Sequence, residues 1–417
     1  MKSMLLYIDP GTGSILFTVL LSILTTLFFL LQIGIQKLVV LFHMGKIPVI
    51  GVKANESIPI LIFTDDKRYW EMFKPICDLF EKSERELHYW TCSEDDPALG
   101  IGYSFVKAEY VGNINAASFR LNRLNARICM TTTPGLGVYQ WKKSRSTDWY
   151  VHLMHGAGDA LCYKMFGLDE FDAILAVGRH QEEEIRKLEK VWGDEPKEIQ
   201  LVGESHMDFL AQKYKESGQN DKKEFCVLIA PSWGANAILS KYGEKLIDAL
   251  LDTKYNIIIR PHPQSFMSEK DMLDRLMKKY PECDRLKWDL SNDNFEALRK
   301  SDIMISDFSS VIWDYVLVFD KPVIYADVSF DPSTYDLAWV KEERWDLKVL
   351  PLVGTKLSED EFENIGDYIA RTASTDRFEL GRKQIREEAW ANRGNSAEAI
   401  YEYLVSKYDK ITGAEGV

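Results

Sequence analysis

Residues 301–327 read SDIMISDFSSVIWDYVLVFDKPVIYAD. A buried-type apolar run, a tight polar turn, a helical stretch over 309–319 and a second apolar run after Lys-Pro make strand, helix, strand. A crossover helix returns the chain to the same end of a sheet, so two strands joined this way pair in parallel. The turn places Asp307, Ser309 and Ser310 where the helix should begin. A helix start has unpaired amides and a positive dipole end. The serines either cap it or help it hold an anion such as phosphate.

The alternation extends outward from this stretch. In the same half, apolar runs at 225–232, 255–263 and 285–288 are separated by helical stretches at 240–253, 268–280 and 294–301. The tail is helical over 359–372 and 376–408. Before the polar stretch AQKYKESGQNDKKE (211–224), strands are expected at 58–64, 87–92, 127–132, 149–155, 171–178 and 198–203. Helices are expected at 66–83 and 179–193. Strands alternating with helices imply parallel sheets covered on both faces. The expected architecture is α/β, two doubly wound domains facing a cleft over 51–215 and 216–417, behind an N-terminal segment of 1–50. In such sheets ligands bind beyond the carboxyl ends of the strands, so residues just after strands are the ones to inspect.

With a net charge of −13 the chain lacks the basic footprint of a general nucleic-acid binder. Its six cysteines are scattered with no Cys-x-x-Cys pair, which argues for reduced thiols and against a zinc site or disulfide framework.

GTGSILFTVLLSILTTLFFLLQIGI, residues 11–35, carries no charge. It is long enough to span a bilayer as a helix, longer than a signal-peptide apolar region, and no small-residue cleavage site follows. A retained transmembrane helix is expected. Lys37, Lys46 and Lys53 follow it and Lys2 alone precedes it, which places the large C-terminal part in the cytoplasm, a single-pass cell-membrane protein.

Four more motifs fall at strand ends. In IIIRPHPQS (257–265), Arg260 and His262 follow three isoleucines. A guanidinium and an imidazole at a strand exit suit a pyrophosphate, although two prolines also make an ordinary surface turn. In HLMHGAGDA (152–160), His155 precedes Gly156-Ala157-Gly158. The glycines allow close backbone approach to a ligand, and the imidazole suits proton abstraction from a hydroxyl. Asp159 could orient it or fix an acceptor hydroxyl; His152, alternating with core positions, reads as structural. In GESHMDFL (203–210), Gly203 and Asp208 read as hinge-proximal, with Asp208 a helix cap and His206 a minor candidate. In APSWGANA (230–237), Ser232 and Trp233 could face the cleft. No metal-ligand set stands out and no cofactor is expected.

Taken together, HGAGD, GESHMD, APSWG, RPHPQS and SDFSSVIWDYVLVFDKPVIYAD, in this order, resemble the CDP-glycerol glycerophosphotransferase family, the teichoic acid primases and polymerases. The resemblance implies a GT-B-like fold of two Rossmann-like domains, the first for the acceptor and the second for the nucleotide donor. It implies transfer of a polyol phosphate from a CDP-activated donor to a lipid-linked or polymer acceptor at the membrane, with release of CMP. His155 would match the family's His-Gly histidine, a general base. Arg260 and His262 would meet the pyrophosphate, and Asp307, Ser309 and Ser310 would form the diphosphate-binding turn. Many members read His-Gly-Thr-Pro-x-Lys where this chain has His155-Gly156-Ala157-Gly158-Asp159, so the acceptor side departs from the family pattern. The alternative is a nucleotide-sugar glycosyltransferase or UDP-sugar 2-epimerase-like enzyme on the same fold, for which Glu296 or Asp314 could grip a sugar.

Overall fold

The computed structural model describes residues 57–413, apart from 139–140, 219–223, 292, 327, 329–343 and 375, together with 22 and 25–27. All but Ser22 and Thr25–Leu27 of the apolar stretch at 11–35 therefore lie outside the described residues. Among the described residues no helix is long and apolar enough to cross a membrane.

Seven strands form the first sheet: β1 (Ile58–Thr64), β2 (Leu87–Thr91), β3 (Val106–Tyr110), β4 (Asn125–Thr131), β5 (Ser146–Leu153), β6 (Ala173–Ala176) and β7 (Glu198–Leu201). Their order is β3-β2-β1-β4-β5-β6-β7, and every pairing is parallel. The second sheet has β8 (Cys226–Ile229), β9 (Asn256–Ile259), β10 (Leu286–Trp288), β11 (Ile303–Ser306), β12 (Val323–Ala326) and β13 (Gly354–Leu357), in the order β10-β9-β8-β11-β12-β13, again all parallel. Central strands such as β8 and β11 are buried along their whole length. Helices cover both of their faces, which is why these strands read as unbroken apolar runs rather than alternating ones.

In each sheet the chain winds outward from one central strand and then reverses. The reversal lies between β1 and β4 in the first sheet and between β8 and β11 in the second. A crevice opens beyond the carboxyl ends of the strands at such a switch point. It is flanked by the segments after Thr64 and Thr131 in one sheet, and after Ile229 and Ser306 in the other.

The expected boundary at 216–417 assigned the helical tail to the second domain, but its last helix packs on the first. Ala397, Ile400 and Leu404 of helix Ser396–Thr412 join the core beneath helix Trp70–Lys82, and Tyr401 meets Phe80 edge-on at 4.9 Å. The crossing needs Gly203, since φ there is +84° and a Cβ would collide with the Ala391 carbonyl. Asp208 is a cap, but for this distant segment. Its carboxylate accepts the backbone N–H of Gly394 (2.7 Å) and Ser396 (2.8 Å) and the indole N–H of Trp390 (3.0 Å). One apolar cluster runs between the sheets, from Met154, Ile174 and Met207 to Met304, Trp313 and Val316.

Candidate active site

Between the two sheets lies a cavity of about 560 Å³. Its first-domain wall comes from the switch-point segments after β1 (Asp65, Arg68, Tyr69) and β4 (Thr132, Thr133, Pro134), and from the turn after β5 (His155 to Asp159, then Tyr163). Glu204 and His206 close one side. Phe308, Ser310 and Asp314 reach it from the second domain, with Arg344 and Asp346. A larger depression of about 750 Å³ between Lys245 and Asp367 lies on helices and a turn of the second domain, away from the strand ends where this architecture binds ligands.

His155 stands just past β5 with its ring edge-on to Tyr69 at 5.0 Å. Its side chain is exposed at the cavity, where the concave protein wall encloses it and holds back bulk water. That enclosure first, and the Arg68 guanidinium second, hold its imidazole down at about 4. It is therefore neutral near pH 7, as a general base must be. Gly156 has φ +133°, a backbone conformation that side chains oppose. Gln181 fixes the turn by donating to the carbonyls of Gly156 and Gly158, each at 2.8 Å.

Asp159 lies at the cavity wall with both oxygens engaged. It accepts Leu161 N–H and, across the domains, Trp345 N–H, each at 2.7 Å. Its work is to hold the turn and the domain contact. Glu184 beside it accepts Ala160 N–H at 2.8 Å, and burial with the Asp159 charge raises its carboxyl.

Glu204 and Asp314 face the cavity from opposite domains. Glu204 caps helix Ser205–Glu216 by accepting the N–H of Met207 (2.7 Å) and His206 (3.3 Å). Burial, then the Asp314 charge, raises it to about 8. Burial alone raises Asp314 to about 7. Glu296, the other acidic residue considered for gripping a sugar, pairs instead with Arg299 and Lys300, which with burial opposing them hold it down at about 2.

The second-domain candidates gather on one sheet edge, since Ser232 follows β8, Arg260 and His262 follow β9, and Asp307 to Ser310 follow β11, three adjacent strands. Of Ser232, Arg260, His262, Asp307, Ser309 and Ser310, only Ser310 is among the described residues that line the cavity. Asp307 was expected in a diphosphate-binding turn, but it is 2% exposed and occupied. One carboxylate oxygen accepts Ser232 N–H at 2.8 Å and the other Ile238 N–H at 2.9 Å. Burial still raises it to about 6. A buried carboxylate would also repel a phosphate, so Asp307 shapes the loop that carries Ser232. The expected helix begins at Val311 and ends at Leu317, and the Ser310 side chain makes no capping hydrogen bond. Ser309 is buried and Ser310 exposed. Arg260 donates to Asp289 at 2.6 Å and to Ser291 at 3.3 Å. His262 Nδ1 accepts Gln264 N–H at 3.1 Å, and burial lowers its pKa.

Sequence reasoning passed over Arg68, Tyr69, Thr132, Thr133 and Tyr163. A Thr-rich strand exit and an Arg-Tyr pair after a strand carry little local signal. The first four are marked by their position at a switch point and Tyr163 by its place after β5, and strand order is invisible until the sheet is assembled.

With this geometry in place, the comparisons decide the family. The sequence pattern of the CDP-Glycerol:Poly(glycerophosphate) glycerophosphotransferase family matches residues 60–406. The chain belongs to that family. It is a glycerophosphotransferase-like enzyme, and the match covers both sheets and most of the crossing helix. No curated protein matches the chain. Among solved structures, it resembles the wall teichoic acid polymerase TagF, in a substituted form soaked with CDPG, with a TM-score of 0.58 and 15% identity over 87% of this chain and 92% of that one. It also resembles the UDP-GlcNAc 2-epimerase of Methanocaldococcus jannaschii in complex with UDP-GlcNAc and UDP, with a TM-score of 0.51 and 12% identity over 83% of this chain and 99% of that one. At these identities the likeness concerns the fold, two parallel-sheet domains of GT-B type.

Proposed function

We propose that this enzyme moves glycerol phosphate, or another polyol phosphate, from a CDP-activated donor to an acceptor hydroxyl in the synthesis of a cell-wall or surface polymer. The observation that carries the reading is the cavity itself. The family match spans residues 60–406, and one cleft is lined by a neutral histidine from the first domain and by Ser310 from the second.

In this reading the acceptor hydroxyl enters beside His155. Its oxygen forms a bond to the phosphorus of the polyol phosphate, the bond from that phosphorus to the CMP oxygen breaks, and the hydroxyl proton passes to His155. CMP departs with the bonding electrons. The donor lies along the exits of β8, β9 and β11, where Arg260, His262, Ser232, Ser309 and Ser310 stabilise charge on the leaving phosphate. Gly156 lets the acceptor approach the backbone. The apolar stretch 11–35, followed by lysines, supports anchoring in the cell membrane with the catalytic domains in the cytoplasm. A lipid-linked or polymer acceptor fits that location.

A second reading, a nucleotide-sugar enzyme, draws on Asp314 at the cavity. One assay separates the two. The purified enzyme is incubated with CDP-glycerol, CDP-ribitol and UDP-sugars, and CMP and UDP release are measured. CMP release with a CDP-polyol is expected; turnover of UDP-sugars alone would overturn the proposal. In the same assay His155→Ala should abolish turnover with CDP binding intact, while His262→Ala should damage both.

A further inference from the structure

His152 lies in β5 and is fully buried, and His155 follows the strand. Tyr163 comes just after the short turn Ala160–Cys162, and its ring stands edge-on to both imidazoles, at 5.2 Å from His152 and 5.9 Å from His155. Its hydroxyl lies 3.1 Å from His152 Nε2 and 3.2 Å from His155 Nδ1. Phe171 packs on His152 at 5.0 Å, and His152 Nδ1 is buried without a hydrogen-bond partner among the described residues.

A phenol has one hydrogen to donate. Tyr163 can donate to one of the two rings and must accept from the other, so their tautomers are coupled. Burial keeps His152 neutral, which leaves it one N–H and one lone pair. A base acting through Nε2, the nitrogen away from Tyr163, needs its own hydrogen on Nδ1. Tyr163 offers an acceptor for that hydrogen when its hydroxyl hydrogen is turned to His152 Nε2.

We propose that Tyr163, backed by His152, is a positioning residue that holds His155 in the tautomer whose Nε2 lone pair faces the acceptor hydroxyl. The proposal rests on the reading of His155 as the base. When the acceptor proton arrives at Nε2, the imidazolium keeps its Nδ1–H on the tyrosine oxygen. Tyr163 keeps its own hydrogen and donates it to His152, which remains neutral. No proton crosses the chain, and the three side chains hold one arrangement before and after transfer. The unpartnered Nδ1 of His152 carries the remaining N–H. A buried donor left unpaired is costly and uncommon, and here it is the consequence of keeping the His152 lone pair on the tyrosine.

Tyr163→Phe removes the hydroxyl and keeps the ring. The expected result is a fall in kcat of about ten- to a hundredfold, part of the 10²–10⁴ that a positioned base contributes, with CDP affinity unchanged as proof of folding. Histidine side-chain nitrogen NMR should find His155 with its hydrogen on Nδ1 in the parent enzyme and shifted toward Nε2 in Tyr163→Phe. His152→Gln retains an acceptor for the tyrosine and should keep most activity, whereas His152→Leu should match Tyr163→Phe. An unchanged kcat in Tyr163→Phe, or an Nε2–H tautomer in the parent enzyme, overturns the proposal. Normal turnover in His155→Ala, measured alongside, overturns instead the base reading on which it rests.

Discussion

Asp307 holds the backbone N–H of Ser232 at 2.8 Å, across 75 residues of sequence. The contact ties the exit of β11 to the exit of β8, the two strands that flank the second switch point. The other oxygen holds Ile238 N–H, at the first residue of helix Ile238–Leu251. Removing the carboxylate leaves two buried N–H groups unpaired. Asp307→Ala should destabilise the protein by about 2–4 kcal/mol in chemical denaturation. Unchanged stability would mean that water or a neighbouring group replaces the clamp.

The two serines that follow should behave differently. Ser310 is exposed at the cavity and Ser309 is buried beneath it. A hydrogen bond to a charged phosphate contributes about 1.5–3 kcal/mol. Ser310→Ala should therefore weaken CDP binding about tenfold or more by calorimetry, and Ser309→Ala should weaken it less. Equal affinities in parent and Ser310→Ala would leave this serine without a part in donor binding.

Stability should fall on the alkaline side. Glu204 and Asp314 have carboxyls raised to about 8 and about 7. The folded state then keeps protons that the unfolded chain has released. Their contribution is fully present below the unfolded carboxyl range and is lost as pH rises through the folded values. His155 and His180, both lowered to about 4, act oppositely, adding stability only up to the ordinary histidine value of 6.5. Above that value the raised carboxyls remain in play, Glu184 with them, joined near pH 8.5 by cysteine thiols that burial also raises. Tm should drop by a few degrees between about pH 6.5 and about pH 8.5, and the drop should shrink in Glu204→Gln. A flat profile would show Glu204, Asp314 and Glu184 to be ionised in the fold.

Membrane attachment has its own test. Deleting residues 1–34 should move the protein from the membrane fraction to the soluble fraction. Persistent pelleting of the truncated protein in high salt would place the membrane contact elsewhere in the chain.

The α/β class and most central strands were legible locally. Runs such as FCVLIAPS and DIMISD are apolar throughout because both faces of these strands are covered, and a short apolar run between polar turns needs no tertiary information to be recognised. Two of the edge strands, β3 and β13, were not, although β7 and β10 were. VKAEY in β3 leaves Lys107 exposed and its next three residues half-buried, and GTKL in β13 is half polar. An edge strand buries less surface, so selection for apolar residues is weaker there.

His155, Gly156 and Ser310 were also within reach of sequence, because strand exits are read from the strand and the polar residues that follow. Which exits share a cleft was decided only by the assembled sheets. β1 pairs with β4 as well as with its sequence neighbour β2, and this brings Arg68 and Tyr69 to one cavity with Thr132 and Thr133. The same holds for the direction of a side chain. Asp307 turns inward to two backbone amides, Tyr163 turns back between two histidines, and the last helix crosses to the first domain. Each depends on hydrogen bonds or packing whose partner is set by the fold, so local periodicity, which reports only a residue's own element, carries no trace of it.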